Sequence, residues 1–342
     1  MSIKGQVNRC VKCILPETYP GINLDESGIC NLCHSHSGEK SQRRNLDELF
    51  ALCGKIKSDS TGSSYDCIVA LSGGKDSTYC LKMMVERFSM RCLAITIDNG
   101  FLSPAVPKNV RTICDALGVD HLQFRPPSPF MKKVYQKSLD GSLQTKAAIK
   151  RASAVCNSCI NIINTHMINT ANRYDIPLIV GGYLGGQLPK GVVVMKVNTK
   201  LLSHTRTRGD AKYAESLGVE GKRYFSIDSS DDAMNMKQLF IANPIVGIDY
   251  DENDVIAEIS ALGWQRPKDT GVHSSNCLLN DFGIFDHYAR YQFHPYEAEL
   301  AELVRTGQMS RSVALEKVVA VPTAEDVRDV SDKLGIKLNE NG

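Results

Sequence analysis

Residues 70–81 read ALSGGKDSTYCL, and the setting of this stretch decides the fold. It is entered from DCIVALS (residues 66–72), a short apolar run suited to a buried parallel strand. It leaves into STYCLKMMVERF (residues 77–88), where Leu81, Met84, Val85 and Phe88 share one helical face. Between strand and helix, Ser72, Gly73 and Gly74 permit a tight turn whose backbone N–H groups point inward. The helix beginning near Ser77 adds its positive N-terminal end, so the turn is an anion site. The Walker pattern G-x-x-x-x-G-K-[ST] is absent, so this is a different kind of phosphate loop.

Working outward, strand and helix signals alternate. CLAITIDNG (92–100), HLQFRP (121–126) and IPLIVGG (176–182) read as strands, and AVPKNVRTICDALG (105–118) and NIINTHMINTANRYD (161–175) as helices. Such alternation predicts a parallel sheet covered on both faces. Upstream, LDELFALCGKIK (46–57) is an amphipathic helix reached through the polar linker HSHSGEKSQRRN (34–45). From about Asn243 the pattern turns helical and charged, around an irregular stretch at 264–287. These signals divide the chain into a zinc ribbon (1–45), an α/β nucleotide domain (46–245) and a helical C-terminal region (246–342). The terminal helices read as a packing or dimerisation module, a homodimer being one arrangement they allow.

The loop resembles the SGGxDS pyrophosphate loop of the ATP pyrophosphatase superfamily, the PP-loop or adenine nucleotide α-hydrolase fold. The resemblance implies an α/β Rossmann-like core that cleaves ATP between its α and β phosphates, activating a substrate oxygen with AMP while pyrophosphate leaves. It further implies that Ser72, Gly73, Gly74 and Ser77 bind pyrophosphate, that Asp76 helps hold Mg2+ or the phosphates, and that Lys75 offsets charge. The backbone near Ile97 and Asp98 is expected at adenine or ribose. Gly181, in GGYLGGQLPKG (181–191), is expected where backbone approaches the ligand closely, with Gln187 as an amide contact.

Twelve cysteines are many for a chain without secretory features, and in a reducing compartment patterned thiols point to metals or catalysis. Cys10, Cys13, Cys30 and Cys33 form two Cys-x-x-Cys pairs separated by sixteen residues containing Pro16, Pro20, Gly21 and Gly28. This is a Zn2+ ribbon pattern, in which two tight turns converge to place four thiolates tetrahedrally. A segment this short is expected to depend on its metal. His34 and His36 are close in sequence, but the shell is already complete. Cys53, Cys67, Cys80, Cys92 and Cys114 sit singly in apolar segments and read as small core residues.

AVCNSCINIINTH (154–166) holds the remaining pair, Cys156 and Cys159, and HSSNCLLN (273–280) the distant Cys277. By residue chemistry alone the pair fits a cluster site shared with Cys277, a catalytic persulfide or disulfide pair, or a structural zinc half-site completed by His273. It stands just before a predicted helix, whose N-terminal charge favours thiolates. Two resemblances bear on the choice. Residues 8–110 are similar to the N-acetyl sugar amidotransferases of surface-polysaccharide biosynthesis, which take ammonia from a partner glutaminase. The middle of the chain resembles the iron–sulfur-dependent thiolases of the tRNA 2-thiolation type. These combine an SGGKDS-type loop with a later Cys-x-x-Cys pair and a third cysteine, which together hold a [4Fe–4S] cluster with one open iron. Here the pair begins 84 positions after Ser72, and Cys277 follows Cys159 by 118. The thiolase resemblance implies an ATP-dependent sulfurtransferase with catalytic Asp76, Cys156 and Cys159, and a sulfur donor protein or free sulfide as partner.

Where those thiolases show a Gly-His-Asn-x-x-Asp-like turn, this chain has GGYLGGQLPKG. With 40 basic against 38 acidic residues, net charge +2, it also lacks the overall basicity of a dedicated nucleic-acid binder. A small-molecule or nucleotide-linked substrate is therefore expected rather than tRNA. Hydrophobic content of 42% and the absence of a membrane-spanning apolar run or signal-like N-terminus point to a cytoplasmic protein with no membrane partner. His273, His287 and His294 are expected at the surface or at helix caps, with a pocket lining as the other reading.

Overall fold

Cys67–Ala70 (β1) is the central strand of a six-stranded sheet in the order β3-β2-β1-β4-β6-β5. The others are Cys92–Ile97 (β2), Asp120–Phe124 (β3), Leu178–Val180 (β4), Val194–Val197 (β5) and Leu239–Ala242 (β6). The computed structural model describes residues 7–36, 46–59, 63–184, 192–197, 211–227 and 238–338. All pairings are parallel except β5 with β6, so the expected parallel sheet carries one antiparallel edge. Neither of those last two strands has a signal strong enough to read from sequence.

The helices are Asn31–His34 (α1), Asp47–Asp59 (α2), Lys75–Lys82 (α3), Val106–Leu117 (α4), Ser128–Ser138 (α5), Lys146–Ile149 (α6), Ala154–Arg173 (α7) and Ala211–Phe225 (α8). Glu252–Ser260 (α9), Leu279–Tyr291 (α10), Glu297–Arg305 (α11), Arg311–Val319 (α12) and Arg328–Leu334 (α13) follow. Residues 264–287, expected to be irregular, become helical from Leu279 onward.

Strand alternation sorts the core into two layers. On β1 and β2, Cys67, Val69, Cys92 and Ala94 face a layer with α2, α3, α4 and α9, while Ile68, Leu93, Ile95 and Ile97 face α5, α7, α8, α10 and α13. The five singly placed cysteines, Cys53, Cys67, Cys80, Cys92 and Cys114, are all buried in the first layer. A fully buried aliphatic side chain contributes about 1.5–3 kcal/mol, so both layers add substantially to stability.

A third core joins the N-terminal ribbon to the C-terminal helices. Ile14, Leu15 and Tyr19 pack with Phe293, Leu300, Ala301, Leu303, Ala314 and Val318. The ribbon thus has apolar support of its own. No helix among the described residues is long and apolar enough to cross a membrane.

The strand order turns at β1, which lies between β2 and β4, and the crevice beyond the carboxyl ends of these strands is where open α/β sheets bind ligands. Helix α7 runs back toward the start of β4, so its N-terminal end sits at that same edge. The phosphate loop, the turn after β2, residues 181–184 and the start of α7 are thereby gathered in one place.

Candidate active site

At the phosphate loop, Gly73 has φ +77°, and a Cβ there would lie 2.6 Å from Val106 Cγ1, so both backbone and space require glycine. Gly74 caps α3. Ser77 Oγ accepts from the Ser72 amide at 3.1 Å and donates to the Gly74 carbonyl at 3.1 Å, which closes the turn on itself. Lys75 Nζ donates to both Asp76 carboxylate oxygens at 2.8 Å and to Tyr250 Oη at 2.8 Å. Tyr250 Oη in turn donates to Asp76 Oδ1 at 2.7 Å, and burial followed by the nearby carboxylate pushes its phenol strongly upward. Asp76 is held by neutralising partners at the mouth of the loop, where a carboxylate is suited to meet a cation. Trp264, buried, donates from Nε1 to the Gly73 carbonyl at 3.0 Å.

Ile97 is buried at the end of β2, in register with Phe124. The Asp98 amide donates to the Phe124 carbonyl at 2.8 Å, and its carboxylate accepts from the Gly100 amide at 2.9 Å. The Gly181 amide donates to Ala242. Gly182 makes the close approach to the loop: a Cβ there would lie 2.9 Å from the Ser77 nitrogen. Gln187, Gly185 and Gly186 lie outside the described residues.

Cys156 and Cys159 do not precede a helix but stand inside the first two turns of α7, capped by Ser153. Their i, i+3 spacing puts both sulfurs on one face. Cys277 reaches them because it bridges antiparallel to Leu102, in the turn after β2. Asn99 joins the set: its Nδ2 donates to Cys277 Sγ at 3.4 Å and lies 3.7 Å from Cys159 Sγ, while its Oδ1 accepts from the Phe101 amide at 2.9 Å. That last bond fixes which way the amide points. Beneath, Tyr135 donates to the Asn99 carbonyl at 3.3 Å. All three cysteines are half-buried. Burial pushes the Cys156 thiol up to about 11 and the Cys159 thiol up to about 12, the latter helped by Cys277. Desolvation thus outweighs the hydrogen bonds from Ser153 and Asn99 that favour the thiolates.

The ribbon differs. Cys10, Cys13, Cys30 and Cys33 are buried, with all four sulfurs within 4.8 Å of one another. Among the described residues no other group of three or more cysteines, histidines or carboxylates gathers so tightly. The donor set fits one tetrahedral Zn2+. Cys156, Cys159 and Cys277 do not gather within 4.8 Å of one another. His34 is bonded to Asp25 at 2.6 Å, away from the metal position. His287 and His294 are not at the surface: they are buried against Tyr291, Phe293 and Tyr296, and His273 packs beside them.

Sequence reasoning missed Asn99, Tyr250, Trp264 and Ser275 as site residues. Only Asn99 carried a usable signal, being the polar end of a strand whose carboxyl edge faces the loop.

Residues 66–177 match the sequence model of the family described as queuosine biosynthesis protein QueC. An uncharacterized protein of Methanocaldococcus jannaschii is 21% identical over 336 residues, spanning 96% of this chain and 100% of its own. Among solved structures, the U34-tRNA thiolase NcsA from Methanococcus maripaludis with its [4Fe–4S] cluster aligns over 98% of this chain and 100% of its own, at 16% identity and TM-score 0.33. The NH3-dependent NAD synthetase from Campylobacter jejuni aligns over 42% of this chain and 58% of its own, at 14% identity and TM-score 0.30.

Proposed function

We propose that this chain, whose α/β core is that of the PP-loop ATP pyrophosphatases, is an ATP-dependent sulfurtransferase acting on a small-molecule or nucleotide-linked substrate. The observation that carries the reading is that Asn99 bonds both Cys159, one turn beyond Cys156 on α7, and Cys277, one residue beyond the Asn276 that contacts the phosphate loop.

In this reading the loop from Ser72 to Ser77 would hold the phosphates of ATP, and Asp76, bonded here to Lys75 and Tyr250, would help hold the accompanying Mg2+. A carbonyl-type oxygen of the substrate attacks the α-phosphorus and pyrophosphate leaves. Lys75 offsets the charge that develops between the leaving phosphates. A sulfur nucleophile then attacks the activated carbon, and AMP departs with the original oxygen. A [4Fe–4S] cluster, when bound, would supply the sulfur for that attack. Cys156 and Cys159, on one face of α7, and Cys277, from the segment lying on the phosphate loop, would hold it. Asn99 directs an N–H toward Cys277 and Cys159, and hydrogen bonds of this kind orient ligands and tune a metal centre. Near-neutral net charge supports a small substrate over tRNA. A Zn2+ on Cys10, Cys13, Cys30 and Cys33 would have a structural part.

Anaerobic purification followed by iron, sulfide and zinc analysis tests the proposal. About four irons and one zinc per chain are expected, with iron lost and zinc kept in Cys156→Ala. Zinc alone, with ATP-dependent turnover unaffected by Cys156→Ala and Cys277→Ala, would overturn it and favour delivery of ammonia.

A further inference from the structure

Residues 274–277 touch both halves of the candidate site. Ser275 Oγ accepts from the Lys75 amide at 3.0 Å, and Lys75 is the first residue of α3. Asn276 Nδ2 donates to the Ser72 carbonyl at 3.3 Å. A Cβ at Gly74 would lie 3.0 Å from Ser275 Oγ and 3.1 Å from Asn276 Oδ1, so loop and segment are in close contact. Ser274 Oγ accepts from the Asn276 and Cys277 amides at 3.3 and 2.9 Å, which stiffens the turn. On its other side the segment is pinned to the turn after β2, through Ser103 N–H to the Asn276 carbonyl at 2.9 Å and Leu278 N–H to the Phe101 carbonyl at 2.8 Å. The next sulfur along the chain is Cys277, bonded to Asn99.

The first amides of α3 have no carbonyl partner within the helix. One of them is occupied by a neutral hydroxyl oxygen, and a phosphate oxygen is the stronger acceptor because it is charged. A phosphate entering the loop therefore takes the Lys75 amide from Ser275 and accepts a hydrogen bond from the freed Ser275 hydroxyl. The bonding of Ser275 changes, and only two peptide bonds separate Ser275 from Cys277.

We propose that Ser275 and Asn276 are nucleotide-positioning residues supplied from the far end of the chain, and that through them phosphate occupancy of the loop sets the placement of the Cys277 sulfur. The proposal rests on the nucleotide reading of the loop. It makes the sulfur site and the adenylation site parts of one mechanical unit, so that the third cysteine is in working position when the phosphates are bound.

The test uses the full-length protein with Mg2+ and inorganic pyrophosphate as the probe. Pyrophosphate binding is measured by calorimetry, and the alkylation rates of Cys156, Cys159 and Cys277 by mass spectrometry after iodoacetamide pulses on cluster-free, zinc-loaded protein. Pyrophosphate is expected to change the rate at Cys277 several-fold and to leave Cys156 nearly unmoved. Ser275→Ala is expected to bind pyrophosphate about tenfold more weakly, the loss of one hydrogen bond to a charged group, and to lose the response at Cys277 when saturated. Ser275→Thr, which keeps a hydroxyl, is expected to behave like the wild type. A wild-type protein that binds no pyrophosphate would overturn the nucleotide reading and this proposal together. Normal binding without any response at Cys277 would overturn the coupling alone. A Ser275→Ala protein that binds and responds like wild type, or a Ser275→Thr protein that fails like Ser275→Ala, would overturn the role of the hydroxyl.

Discussion

The four ribbon sulfurs lie within 4.8 Å of one another and are buried, whereas Cys156, Cys159 and Cys277 are half-buried and only the latter two bond Asn99. Their local electrostatics differ at Cys10, whereas burial raises Cys13 to about 11 and Cys33 further, as it raises Cys156. Burial opposes ionisation of Cys10, but the amides of Cys13, Cys30 and Lys12 outweigh it and bring that thiol down to about 6. At Cys156 burial dominates, and the thiol rises to about 11. A site that fills its metal's shell with four close donors spends its binding free energy on folding. A wider set of three donors, open toward a phosphate loop, leaves coordination free for chemistry.

The strongest way to break this contrast is to remove a ribbon ligand. Cys13→Ser is expected to lose zinc and to destabilise the protein by roughly 5 kcal/mol. That is less than the ~10–16 kcal/mol seen for isolated zinc-finger peptides, because the ribbon also shares an apolar core with α11 and α12. Arg311 should moderate the loss further, since its guanidinium donates to the Cys10 and Cys13 carbonyls at distances down to 2.7 Å. Thermal melts with zinc analysis check this; a melt unchanged by zinc loss would mean the ribbon is held by packing alone.

Acidification sharpens the contrast between the two halves. Burial brings His287 down to about 4, and His294 and His273 are also lowered, so three depressed histidines cluster beside the ribbon core. An unfolded histidine takes its proton near 6.5, while folded His287 stays neutral until about 4. The unfolded state therefore binds more protons in that interval. The stability these residues contribute is present above pH 6.5 and falls as pH drops toward 4, by up to about 3 kcal/mol for His287. His166 in the sheet layer is lowered to about 4 as well, but it stands with fewer such neighbours. Zinc release and circular dichroism followed from pH 7 to 4 should show the ribbon side giving way before the sheet. Simultaneous loss, or loss of the sheet first, would contradict this.

The smallest expected stability effect is at the other constellation. Cys156→Ala removes a half-buried sulfur at the margin of the second core layer, and a change of about 1 kcal/mol or less is expected even as iron binding is abolished. A melting shift as large as that of Cys13→Ser would erase the distinction between the two sites.

The parts of the site legible in sequence were the local ones. Ser72–Ser77 is a strand-to-helix turn whose glycines are needed within the turn itself, and the ribbon pairs sit on short turns sixteen residues apart. The start of α7 was misplaced because AVCNSC has little apolar periodicity; its cap is the Ser153 side chain accepting from the Cys156 amide. Tyr250, Trp264 and Ser275 were invisible. They contact the loop across 175, 191 and 200 positions, in segments where nothing local marks a partner.

Sequence by itself determined the phosphate turn, the four-thiol ribbon and the alternating pattern that builds a parallel sheet, because each depends on residues that are neighbours along the chain. Tertiary structure decided that the start of α7, the turn after β2 and the Cys277 segment meet at one edge of that sheet. Strand order and the return direction of α7 place them there, and long-range packing, not local propensity, sets both.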